Sequence, residues 1–247
     1  IGIYNISESK TKLELWAYTF SVEDGFIEIE ENMNIFRYSI TEIENLKPSL
    51  EKFMYYLLYI GNILNGGTNR GQADGFQLEA ITKLGSVKDN NNKSVTYYIN
   101  TLIRKEDENF SVSRVYLDNV GKAAKSQLSD IDLNIKKLKK GLSSQESNIK
   151  KLSGKEEDSV FVEAMKKKYT EMDEKLSGYT KEIETINEKI KKLVFYFGYT
   201  EKDGCYKKID TFFQLIYDVA GEIEKFMPKA EPKKVFKGKH NMGAKAS

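Results

Sequence analysis

No proline occurs between Pro48 and Pro228. Proline lacks the amide donor and clashes with the preceding helical turn, so a chain free of it over such a distance can run in very long helices. Two apolar rows use that freedom. Ala124, Leu128, Ile131, Ile135, Leu138, Leu142, Gln145, Ile149 and Leu152 follow alternating steps of three and four. Met165, Tyr169, Met172, Leu176, Tyr179, Ile183, Ile186, Ile190, Leu193 and Phe197 do the same. Both are heptad seams. Between them Ser153-Gly154-Lys155-Glu156-Glu157-Asp158 supplies turn residues, so the two helices are expected to fold back antiparallel. The second row extends about 48 Å at 1.5 Å per residue. The expected fold class is all-α: an elongated multi-helical bundle with a long antiparallel coiled-coil hairpin at about 120–197.

Upstream, Leu13, Leu15, Trp16 and Phe20 suggest a short helical piece within residues 1–25, with Trp16 as a packing anchor. Ile29, Met33, Phe36, Ile40 and Ile43 predict an amphipathic helix over 26–45. Glu44-Asn45 is expected to break it, and Pro48 to open the next helix. That helix, with Leu50, Phe53, Met54, Leu57, Leu58 and Leu64, is apolar on most of its circumference and is expected to be buried on several sides. Gly61-Asn62 interrupts it, and Asn65-Gly66-Gly67 stops it, since glycine tolerates the left-handed conformation after a helix. A glycine such as Gly61 inside a helix usually lets another backbone come close. Phe76–Leu84 reads as a short helix with Leu78, Ile81 and Leu84 on one face. Ser94 is expected to cap a helix from Val95 to about Lys105, with Tyr98, Ile99 and Leu102 inward. Phe195-Tyr196-Phe197-Gly198-Tyr199 closes the long helix, and Ile209–Met227 forms the last one. The division expected is 1–228 as one folded unit and 229–247 as a basic disordered tail, with six lysines against Glu231.

Composition narrows the function classes. Cys205 is the single cysteine and His240 the single histidine, which excludes a disulfide framework, a zinc site within the chain and a nucleophilic triad. Gly66-Gly67-Thr68-Asn69-Arg70-Gly71 lacks the Gly-Lys-Ser/Thr ending of a phosphate loop and follows a helix, not a strand. Abundant carboxylates fall on solvated helix faces. The expectation is therefore a non-enzyme without cofactor or metal. No apolar run of 18 residues occurs, so no membrane span is expected. The start, Ile1-Gly2-Ile3-Tyr4, has no initiator Met and no signal-peptide pattern, and reads as the edge of a fragment.

Gly61-Asn62-Ile63-Leu64-Asn65, then Ala73-Asp74-Gly75-Phe76-Gln77-Leu78, then Lys83-Leu84 and Lys88 resemble the signature of the formin homology 2 (FH2) domain: G-N-x-x-N, a glycine-rich gap, A-x-G-F-x-L, K-L, and a lysine before a polar loop. The resemblance covers about residues 10–227 and corresponds to the family's C-terminal half, the post and coiled-coil part. It implies a cytoplasmic, cytoskeletal protein that binds actin, nucleates filaments and processively caps the growing barbed end as a homodimer. In the family the lasso of one subunit wraps the post of the other. The resemblance implies that Gly61, Asn62, Asn65, Gly75 and Phe76 line the lasso-receiving groove. It also implies that Lys88, with Lys83 as a neighbouring basic candidate, contacts actin. From Lys122 to Leu152 eight lysines face three acids, a further candidate for acidic actin. Profilin would be met only indirectly, through a proline-rich segment that three prolines cannot form. Nucleic acid is not an expected partner. The alternative is a helical scaffold or coiled-coil adaptor unrelated to actin.

Overall fold

Leu15, Val22, Ile29, Phe36, Ile43, Leu50 and Leu57 recur every seven residues, and all are buried. In the computed structural model this row belongs to one helix, α1, Ser9–Leu64. Its 56 residues extend about 84 Å at 1.5 Å per residue. The expected division into pieces at 25, at Glu44-Asn45 and at Pro48 is therefore corrected: Pro48 lies inside the helix. Proline removes one intrahelical bond, at a local cost of about 3 kcal/mol. The seven-residue row crosses it without a change of phase, and burying Ile43, Leu46, Leu50 and Phe53 outweighs that cost. The structure describes residues 8–154 and 156–227, so the basic tail at 229–247 and the chain start lie outside the described residues.

Two more long helices follow α1's first half. Helix α4 spans Leu128–Leu152 and α5 spans Ser159–Tyr196, with only a short turn between them. Their apolar rows are buried at Ile131, Ile135, Leu142, Ile149 and Leu152, with Leu138 half-buried, and from Met165 to Leu193. Instead of standing alone as a two-helix arm, they pack against α1 as a three-helix bundle. The register is readable from polar contacts. The Tyr169 hydroxyl donates to the Leu15 carbonyl, Tyr179 to Glu30, and Arg37 to Glu182, so α1 and α5 run parallel. Tyr18 donates to the Leu138 carbonyl and Asn134 to Glu28, so α4 runs the other way. At the tip, the Lys12 ammonium pairs with the buried carboxylate of Asp158.

The second half of α1 is packed by shorter elements. These are a 3-10 helix at Leu78–Ser86, α2 at Val95–Glu106, a 3-10 turn at Arg114–Tyr116, α3 at Asp118–Ala123, α6 at Gly204–Lys207 and α7 at Ile209–Lys225. Glu42 of α1 accepts from the Asn119 and Val120 amides and so caps α3 from outside its own helix. Arg114 donates to the Tyr217 carbonyl and Asp218, Ser113 donates to Glu224, and Asn100 donates to the Ile223 carbonyl. These bonds hold α7 in the middle, where Phe212, Phe213 and Ile216 are fully buried and Phe213 packs against Phe36. Among the described residues there is no β-strand, only an isolated bridge between Lys88 and Ser94.

Three further expectations are corrected. Trp16 is 52% exposed, because it lies on α1's outer side and touches the bundle at the Phe161 ring, centroids 6.4 Å apart. The end of α1 is not buried on several sides: Tyr55, Tyr59, Ile63 and Leu64 are all exposed. In α2 the inward residues are Thr96, Ile99, Asn100 and Ile103, while Tyr98 and Leu102 face solvent. Asn100 takes an inward place where α2 meets α7, donating to the Ile223 carbonyl, while Thr96, one turn earlier, is buried with its hydroxyl unpaired among the described residues.

Candidate interaction site

Helix α1 ends where glycine and asparagine make continuation unfavourable, at Leu64. The following loop is ordered by its own polar groups. Thr68 donates its amide and hydroxyl to the Asn65 carbonyl at 3.1 and 2.7 Å. The Gly71 amide returns to the Thr68 carbonyl. Gly67 sits at φ 79°, where glycine is unstrained. Gly71 passes so close to the Asn65 carbonyl that a Cβ there would come within 2.5 Å of its oxygen.

The loop is fastened to α1 by Asn62. Its amide nitrogen donates to the Ala73 carbonyl at 2.9 Å, and its amide oxygen accepts from the Ala73 amide at 2.8 Å. Both halves of the side chain are thus engaged within this chain. Gly61 has nothing within 4 Å of where a Cβ would stand, and the same holds for Gly75. The close approach expected at Gly61 is not made by any described part of this chain. Asn65 is exposed. Phe76 is half-buried against the core and anchors the loop's far end. Gly61, Asn62, Asn65 and the loop up to Phe76 therefore form one continuous surface.

Lys88 stands on a second, tightly built loop. The Asp89 carboxylate accepts from the Asn91 and Lys93 amides at 2.9 and 2.8 Å and from the Tyr98 hydroxyl at 2.6 Å. The Tyr98 bond, followed by the amide bonds, holds the Asp89 carboxyl below its ordinary range. Asn92 adopts φ 62°, and the Val95 amide bonds the Val87 carbonyl. Lys88 is exposed, as is Lys83 on the preceding 3-10 helix. Neither ammonium has an ion-pair partner among the described residues.

Sequence reasoning missed two parts of this region. Asp89 organises the Lys88 loop; the aspartate two residues before Asn91, in a polar tract, is the signal of a side chain that caps its own turn. Tyr55, Tyr59 and Ile63 form an exposed stripe on the end of α1, 66%, 59% and 61% exposed. Their four-residue steps, beside the buried Leu50 and Leu57 row, mark a second face. Near them, the Tyr196 hydroxyl bonds Glu51 and the Lys47 ammonium lies 3.8 Å from the Tyr196 ring centre. Chiefly through the Glu51 bond, the Tyr196 phenol is pushed up to about 12.

The architecture is a long helical bundle whose far end presents exposed apolar side chains, glycine-lined backbone and exposed lysines. Among the described residues no group of His, Cys, Asp and Glu is placed to hold a metal ion, and no helix is long and apolar enough to cross a membrane. Comparison with known proteins gives the family. The Formin Homology 2 Domain family matches residues 1–223, and the chain belongs to that family. It is similar to Formin-F of Dictyostelium discoideum, 36% identical over 147 residues, which are 58% of this chain and 12% of that protein. It is similar to Formin-G of the same organism, 27% identical over 239 residues, 94% of this chain and 22% of that protein. It also matches Formin-like protein 6 of Oryza sativa subsp. japonica, 27% identical over 177 residues, 71% of this chain and 12% of that protein. The chain thus spans less than a quarter of the length of these relatives.

Proposed function

We propose that this FH2 domain is a binding part of an actin-assembly factor of the cytoplasm and its actin cytoskeleton, working by geometry and not by catalysis. In this reading two complete FH2 domains join by lasso and post, hold actin subunits in a filament-like arrangement, and stay on the growing barbed end. Holding subunits together replaces an improbable encounter with a preorganised one. Alternate release of the two halves lets the dimer follow the end. Profilin enters indirectly, through a proline-rich segment elsewhere in such a protein.

The observation that carries this reading is the surface at the end of α1. Tyr55, Tyr59 and Ile63 are exposed on a rigid helix, next to Gly61, whose position is open to an approaching backbone. Large aromatic groups on an exposed, ordered face are what a partner segment buries most profitably. The lasso of a second FH2 domain is the proposed occupant, with Gly75 and Phe76 shaping the far side. Asn62 serves by positioning the loop, since its amide is already engaged by Ala73. Lys88, presented by the Asp89 loop, and Lys83 would meet the acidic surface of actin.

The test is polymerisation of pyrene-labelled actin with the intact FH2 domain that contains this chain. Acceleration of assembly together with protection of barbed ends is expected. Neither effect appearing would overturn the reading. Lys88→Asp should slow assembly severalfold while leaving the helical circular dichroism spectrum unchanged; unaltered activity would remove Lys88 from the actin contact.

A further inference from the structure

Leu13, Phe20 and Ile27 stand on the outer face of α1's first half at seven-residue steps. The bundle leaves them 52%, 60% and 60% exposed. Trp16 stands beside them, also half exposed. The row from Leu13 to Ile27 is about 21 Å long at 1.5 Å per residue. Exposed apolar side chains scattered singly are ordinary, but four aligned on one helix face mark an interaction surface.

We propose that this stripe pairs two copies of the chain, antiparallel, across a two-fold axis at Phe20. This lies beyond the lasso–post reading and does not rest on it. Leu13 and Ile27 are equidistant from Phe20, so an antiparallel partner sets Leu13 against the second copy's Ile27 and Phe20 against its own counterpart. A two-fold contact requires such a self-complementary patch.

Charge selects the direction. Residues 9–19 carry Lys10, Glu14 and Lys12, which is already paired with buried Asp158, whereas residues 20–31 carry Asp24, Glu28, Glu30, Glu31 and Glu23, which is paired with Lys168. Parallel pairing would lay acids against acids. Antiparallel pairing lays the end that carries Lys10 over the acidic end. Lys10, Ala17, Asp24 and Glu31 form the next seven-residue row, and all four are exposed. Flanking positions of an antiparallel helix pair face their own kind, so Lys10 of each copy meets Glu31 of the other. Among the described residues Lys10 has only a 4.0 Å contact with exposed Glu14, and Glu31 has no ion pair.

The stripe is short for an interface, well under the roughly 1,200 Å² of a standard one. The association is accordingly weak, with a dissociation constant of the order of 10–100 μM. Sedimentation velocity of the chain at concentrations spanning that range tests it. The weight-average sedimentation coefficient should rise toward that of a dimer. Phe20→Glu should weaken dimerisation at least tenfold; its exposure keeps the fold intact, which circular dichroism would check. Lys10→Glu should weaken it severalfold, and Lys10→Glu with Glu31→Lys should restore it. A monomer at every concentration overturns the proposal. So does a dimer that survives Phe20→Glu, or a double variant no better than Lys10→Glu alone. Phe20 lies about 58 Å along α1 from Tyr59, so these variants leave the proposed lasso surface untouched.

Discussion

Replacing Asn62 with alanine removes two hydrogen bonds that fasten the glycine loop to α1, those at 2.9 and 2.8 Å with Ala73. A net hydrogen bond contributes about 0.5–1.5 kcal/mol, and these two are partly wet, which places the pair at about 1–2 kcal/mol. The loss should be local. The loop's remaining bonds run among Asn65, Thr68 and Gly71, none of which reaches the core. The half-buried Phe76 still holds the far end. The helical core should therefore keep its stability while the loop opens more often.

Amide hydrogen exchange reads that quantity directly, because the Ala73 N–H is itself one of the lost donors. An opening made easier by 1–2 kcal/mol corresponds to roughly 5- to 30-fold faster exchange at Ala73 and its neighbours. Amides of α5 and α7 should be unaffected. Asn65→Ala is the contrast. The loop uses the Asn65 backbone carbonyl, which alanine retains, so exchange at Ala73 should stay within about twofold. Equal exchange in wild type and Asn62→Ala would refute the latch. So would an Asn65→Ala variant that opens the loop as widely.

Two glycines inside helices predict opposite outcomes in urea denaturation. Gly178→Ala, with nothing within 4 Å of the new Cβ, should stabilise by about 0.5–1 kcal/mol. Gly141→Ala would drive a Cβ into the Tyr18 hydroxyl and dislodge its bond to Leu138, so it should destabilise by about 1–2 kcal/mol despite the better helix propensity. Lys12→Met leaves the buried Asp158 carboxylate without its cation and should destabilise by about 3 kcal/mol in the same assay; less than about 1 kcal/mol would show that the pair is dispensable. At high pH, burial pushes the Tyr169 phenol up to about 12, above its unfolded value of 10.0, and the Glu51 bond does the same for Tyr196. Their contribution is fully present below pH 10 and is lost as pH rises toward 12, so the urea midpoint should be lower at about pH 11.5 than at about pH 9. Equal midpoints would contradict it.

What could be read from the sequence divides along a physical line. The heptad rows of α4 and α5 were legible because every apolar position in them repeats against a partner helix, and period alone carries that information. The same period carried the continuity of α1: Ile43, Leu50 and Leu57 keep phase across Pro48. Reading proline as a boundary weighed one local rule above a row of buried side chains, and packing won. The converse error occurred at the end of α1. That stretch is expected from its apolar composition to be buried on several sides, yet Tyr55, Tyr59, Ile63 and Leu64 are exposed, because composition says how much surface seeks burial, not which face has a neighbour. In α2 the same ambiguity misplaced Tyr98 and Leu102 but not Ile99: Thr96 and Asn100 complete the buried face, and Asn100 bonds the Ile223 carbonyl of α7, a partner more than a hundred residues away. The signature residues from Gly61 to Lys88 were recognisable as a set, but their division of labour was not. Asn62 looks like a donor and acceptor waiting for an incoming strand; only the fold shows both of its groups engaged by Ala73. With both groups engaged, Asn62 holds the loop in place, and the exposed side chains around it are the ones left open to a partner.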